Sequence, residues 1–257
     1  MKLLFLSFAF FYSFSFAQNS NLQMGDYYYA LRAENSHGNM ANSKNAKEAI
    51  KYYALALKNP KEREEAAWKL LRAYYYLGCF SMPETKDREI FFGKAKKEGK
   101  AFLMEFPKNS EIAYWYSIDL ALWAITVSPL KAFYAGTIKE TREIAQKLIA
   151  EEKNGDSISA ARGYQIMGRA HQKIPRVIVA LNWIKKDSAE YYFKKSLELN
   201  PQDLATRLFL AEYYKETGRR REAEALLAPA LKRKPRPEEY LEDERNLIRM
   251  RSLLSGP

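Results

Sequence analysis

A chain of 257 residues with a net charge of +11, one cysteine and two histidines leaves little room for several kinds of chemistry. The single thiol, Cys79, excludes a disulfide-built fold, and His37 and His171 lack metal-ligand spacing with Asp, Glu or Cys. With 47% of its residues hydrophobic, the chain is long enough to bury a core without covalent staples.

In chain order, the first element is Lys2 and the apolar run from Leu3 to Phe16, with the small residues Ser15 and Ala17 ahead of Gln18. This pattern predicts a secretory signal peptide over residues 1–17, cleaved before Gln18. A membrane-spanning helix needs about 20 apolar residues, more than this run supplies. The expected product is exported and periplasmic, with no cysteine at its new N-terminus to take a lipid anchor. Residues 18–257 are expected to form one domain.

From Met24 to Leu254 the apolar residues recur at helical spacing, and no strand alternation appears. EAIKYYALALKNP predicts a helix closed by Pro60, and AAWKLLRAYYYLG a second, with Trp68, Leu71 and Tyr75 three and four apart. Asp87 to Phe106 supplies its partner. EIAYWYSIDLALWAI opens a further pair, whose second helix is expected to run unbroken from about Leu130 to Lys153. GYQIMGRAHQ and SAEYYFKKSLELNP form the next pair, split by the apolar insertion KIPRVIVALNWIKKD. RLFLAEYYKETG and REAEALLAPALKRKP form the last, with Pro229 expected to disturb its final turn. EEYLEDERNLIRMRSLL is amphipathic and suits a terminal capping helix.

Pro201 and Pro235 stand 34 residues apart, and Ala189, Phe193 and Ser196 recur one period later as Ala223, Leu227 and Ala230. That is the tetratricopeptide period, in which stacked helix pairs share a core no single pair could bury. The expected fold is therefore all-α. It is a tetratricopeptide-type helical-repeat solenoid with long helices, an insertion in the penultimate repeat and a C-terminal capping helix.

The repeat register places Arg162, Gln165, Arg169, Gln172 and Lys173 on the concave groove of the penultimate repeat, and Glu212, Lys215 and Glu216 on that of the last. Arg162 and Arg169 could hold a carboxylate or acidic peptide by charge-assisted hydrogen bonds, or the face could simply be hydrated. The insertion, through Val177, Val179 and Trp183, either folds back on its own solenoid or forms a contact between protein copies. Runs of tyrosine must point partly inward, as core, and partly outward. Basic clusters at Arg219 to Arg221 and Lys232 to Arg236 exchange ion pairs with nearby glutamates or face an acidic partner. Export makes nucleic acid an unsuitable partner and leaves membrane contact at most peripheral. No phosphate loop, nucleophile elbow or metal cluster is present, so neither an enzyme nor a bound cofactor is expected.

The order YWYSIDLALWAI, a long helix, GYQIMGRAHQKIP, an insertion, SAEYYFKKSLELNP and RLFLAEYYKETGRRREA resembles the TatT proteins, the tetratricopeptide component associated with bacterial TRAP transporters. The resemblance covers nearly the whole mature chain. It implies a periplasmic interaction scaffold that docks the solute-binding protein of a tripartite uptake system, with homo-oligomers within the family's range. Members can be lipoproteins, and this chain lacks the lipid-accepting cysteine. Two other expectations fit the same residues: a scaffold for envelope assembly or cell-wall enzymes, and a carrier of a hydrophobic ligand between the long helices.

Overall fold

The computed structural model describes residues 19–82, 85–175 and 182–255, and among these every regular element is a helix, with no β-strand. Five helix pairs follow one another. They are α1 (Asn21–Ala30) with α2 (Ser43–Ala56), α3 (Arg63–Phe80) with α4 (Thr85–Glu105), and α5 (Ser110–Thr126) with α7 (Thr137–Ala150), the last two joined through α6 (Pro129–Tyr134). Then come α8 (Ser157–Lys173) with α9 (Ser188–Leu199) and α10 (Leu204–Glu216) with α11 (Arg220–Leu227), before the unpaired α12 (Tyr240–Ser255). The second helix of each pair also packs on the first helix of the next: α2 on α3, α4 on α5, α7 on α8, α9 on α10. This serial contact is the expected solenoid.

Local chemistry sets where the helices begin. Ser20, Asn42, Asn109, Asp156 and Asp203 each accept a hydrogen bond from a backbone N–H of the first turn. Such caps satisfy donors that the helix itself leaves bare and are worth about 1 kcal/mol each. The helix expected from Leu130 to Lys153 is instead broken between α6 and α7, where Gly136 takes φ 72°. That left-handed conformation strains any residue with a Cβ, so glycine marks the break. Pro229 ends α11 early: the helix stops at Leu227, and a short 3-10 turn over Ala230–Lys232 finishes the unit.

The register read from the prolines is a packing register. Ala189, Phe193 and Ser196 are buried on α9, and Ala223, Leu227 and Ala230 are buried in the following unit. The Phe193 ring presses on α8 at Gly168, where an added Cβ would lie 2.6 Å from the ring. One pair earlier, α7 meets α8 through its backbone. A Cβ on Gly163 would lie 2.7 Å from the Ala145 carbonyl oxygen of α7. Small residues on one helix thus form the notch that the next helix fills.

Two buried clusters run through the stack, one from α1 to α8 and one from α9 to α12. α12 belongs to both. Leu247 and Met250 lie in the second cluster, whereas Leu241 lies in the first, and Glu242 beside it pairs with Arg32 just beyond α1. The terminal helix therefore covers the last pair, as expected of a cap, and also reaches the first.

One buried group opposes the fold at neutral pH. Asp119 on α5 is fully buried, and neither carboxylate oxygen has a hydrogen-bond partner among the described residues. Burial pushes its carboxyl well above the usual aspartate range. A raised folded value means the stabilisation is complete in acid and is lost as pH rises toward that value, at up to about 1.4 kcal/mol per pH unit. Asp119→Asn should therefore flatten the fall in unfolding free energy between pH 5 and pH 8 seen by urea titration of the unchanged protein. The glycine notch makes a second prediction. Gly163→Ala should cost about 1–3 kcal/mol by overpacking against backbone. Gly93→Ala on α4, whose Cβ would sit 3.7 Å from Trp123, should instead gain up to about 1 kcal/mol of helix propensity in the same assay.

Candidate partner-binding face

The first helices of successive pairs, α1, α3, α5, α8 and α10, neighbour one another along one side of the stack. Arg162, Gln165, Arg169 and Gln172 project from α8 at spacings of three and four, so one stripe of that helix meets its neighbours on both sides. Arg162 pairs with Glu111 of α5. Arg169 pairs with Glu212 of α10 at 2.6 Å and donates to Gln172 at 2.9 Å. Gln165 donates to Asp203 at 2.6 Å and to Thr206 at 2.7 Å, while Lys173 and Gln172 both reach Glu216. Lys215 donates to the Leu253 carbonyl of α12 at 3.1 Å. The eight residues singled out by register are thus brought together, and they stitch α5, α8, α10 and α12.

Their charges are largely committed. Burial alone would raise the Glu212 carboxyl, but the guanidiniums of Arg169 and Arg249 outweigh it and hold it below the usual range. A carboxylate arriving at Arg169 must therefore displace one already in place.

A second feature of this face is a series of guanidiniums lying on aromatic rings. Arg72 sits 4.0 Å from the Tyr29 ring centroid and 4.9 Å from Trp68; Arg162 lies 4.3 Å from Tyr114, and Arg169 lies 4.1 Å from Phe209. Such stacking orients the cation and leaves its edge for hydrogen bonding. Arg72 differs from the other two. Among the described residues it makes no ion pair, and its Nε is buried without a partner. Sequence periodicity puts Trp68, Leu71 and Tyr75 together as packing residues. Only Leu71 of the three is fully buried; Trp68 and Tyr75 are half-buried, Trp68 beneath Arg72 and Tyr75 against Phe80 and Trp115. The four-residue spacing of Trp68 and Arg72 was the available signal.

The tyrosine runs divide as alternation demands. Tyr29, Tyr53, Tyr74 and Tyr76 are buried, whereas Tyr27 and Tyr191 are more than half exposed. Val177 and Val179 lie outside the described residues. Trp183 is half-buried against its own solenoid, edge-on to His171 at 5.5 Å and beneath Arg142 at 4.8 Å. Next to it, Lys185 donates its backbone N–H to Nδ1 of His171 at 3.0 Å, and Tyr192 stacks on the imidazole at 5.0 Å. Cys79 is an inert position: burial pushes its thiol up to about 12. No group of His, Cys, Asp or Glu able to hold a metal occurs among the described residues, and none of their helices is long and apolar enough to cross a membrane.

His171 provides a pH test of this region. Because Nδ1 accepts a hydrogen bond, the neutral ring carries its proton on Nε2. Burial lowers its pKa, and Arg142 and Lys185 lower it further. The imidazole thus stabilises the fold above its ordinary value of 6.5, and this is lost as pH falls through the depressed folded value. NMR titration should show His171 charging below 6.5, with the Trp183 resonances moving at the same midpoint. A midpoint at or above 6.5 would contradict the docked geometry.

The tetratricopeptide-repeat family profile matches residues 187–242, spanning α9 to the start of α12. No curated protein matches the chain. Among solved structures, a thermophilic TPR protein of Thermus thermophilus is 21% identical, with a TM-score of 0.60 over 91% of this chain and 97% of that one. The chain has a tetratricopeptide-type fold, and its helix pairs form a solenoid of the kind that binds protein partners.

Proposed function

We propose that the protein is a periplasmic interaction scaffold of the TatT-like kind, docking the solute-binding protein of a TRAP-type uptake system on the face made by α1, α3, α5 and α8. The fold supports a binding role, and the residues quoted above from YWYSIDLALWAI to RLFLAEYYKETGRRREA support the family reading. The observation that carries the location is Arg72. It is a cation set between Tyr29 and Trp68 with no carboxylate of its own among the described residues, so a partner's acidic side chain could meet it through charge-assisted hydrogen bonds without first breaking an internal ion pair. Arg162 and Arg169 extend the same face, their carboxylates already supplied from within.

The test is retention from a periplasmic extract. The tagged protein, whose mature N-terminus should be Gln18 by mass spectrometry, is expected to retain a solute-binding protein. Arg72→Ala should weaken that retention about tenfold to a hundredfold, the loss of one charged hydrogen bond of roughly 1.5–3 kcal/mol. Recovery of only cell-wall enzymes or envelope-assembly proteins would contradict the transport assignment. Equal retention by Arg72→Ala would move the binding face elsewhere.

A further inference from the structure

Among the described residues α12 has no partner helix of its own, yet its side chains reach across the length of the chain. Glu242 pairs with Arg32, just beyond α1, at 2.9 Å across 210 residues of sequence. Arg245 donates to the Cys79 carbonyl at the end of α3 at 2.8 Å and to the Asn39 carbonyl at 3.1 Å, and its guanidinium lies 3.7 Å from the Phe80 ring centroid. Arg249 pairs with Glu212 of α10 at 2.6 Å. Glu242, Arg245 and Arg249 follow one another at spacings of three and four, so a single stripe of the helix makes all these contacts. Its receptors belong to the opening and last repeats: Arg32 and Asn39 in the connection after α1, Cys79 at the end of α3 and Glu212 on α10, and Arg32 shares the Tyr29 ring with Arg72.

We propose that α12 is a displaceable occupant of this face, and that the partner the scaffold takes presents an amphipathic helix of the same chemistry. That helix carries an acidic side chain for Arg32, then cationic side chains one and two turns later for the Cys79 and Asn39 carbonyls and for Glu212. This rests on the reading that a protein partner binds the inner face, and it names what such a partner must offer. The geometry of the occupant supports displacement. Glu242 satisfies Arg32 with one oxygen only, and its other oxygen, Oε2, is buried without a partner among the described residues. A partly satisfied buried carboxylate holds its place less firmly than a fully bonded one. Arg236 binds the Asp243 carboxylate at the start of α12, which ties the connection before the helix to the helix and lets both leave as one body. The outer side of α12, with Ile248 exposed, has no second layer over it among the described residues.

The test uses the full mature chain and a fluorescent synthetic peptide of residues 237–255. Glu242→Lys places a cation against Arg32 and loosens α12 while leaving its receptors unchanged. The peptide should bind this variant at least tenfold more tightly than the unchanged protein, by fluorescence anisotropy, and a peptide carrying the same Glu242→Lys change should not bind. If Glu242→Lys does not fold, the pair Glu242→Gln with Arg249→Ala serves in its place. Equal binding to both proteins, or none to a folded loosened variant, would overturn the inference. A periplasmic partner retained equally by both proteins would also overturn it, while leaving the scaffold reading intact.

Discussion

A solenoid buries its interior one neighbour at a time, so each end unit has a face with nothing to cover it. This constraint governs the chain. Most repeat proteins need a separate cap at each end, whereas here one helix serves the last repeat and touches the first. Leu247 and Met250 close the final pair, and Leu241 enters the opening cluster with Glu242 reaching Arg32. The ion pair alone is weak evidence for stability, since removing two charges from water costs about what their attraction returns. Its value lies in position: with Leu241 it fixes which surface of the first repeat α12 meets.

The charge of the chain follows from the same architecture. A net +11 suggests a broadly cationic surface, yet much of the arginine is paired within the chain. Arg32, Arg162, Arg169, Arg245 and Arg249 join helices far apart in sequence, and most of them also lie over aromatic rings. Guanidinium suits this task better than ammonium, because it can stack by its face and donate by its edge at once. Tyr29, Tyr76, Tyr114, Phe209 and Phe80 are the rings on which those arginines rest.

Much of the fold was legible before the structure. Pro201 and Pro235 mark equal units because the helices between them have the same plan, and Ala223, Leu227 and Ala230 fall into the core where the period placed them. Of the candidate face, the stripe from Arg162 to Lys173 was also legible, since it depends only on helical spacing. The carboxylates that neutralise it were half visible: Glu212 and Glu216 were placed opposite, but Glu111 belongs to another pair. Nothing local announces that Arg32 and Glu242 meet, because no periodicity links residues 210 positions apart. The break at Gly136 was missed for a different reason. A single glycine in an apolar helical pattern is compatible with helix, and only the φ of 72° separates the two outcomes.

Closure of the first repeat by the last helix is the claim on which the rest turns. A double-mutant cycle between Arg32→Ala and Glu242→Ala, read by urea unfolding, measures it most directly. Contact predicts a coupling of about 0.5–3 kcal/mol between the two substitutions. Strict additivity would mean that the first and last repeats do not meet through this pair, and the structure would then be an open spiral with its terminal helix covering one end alone.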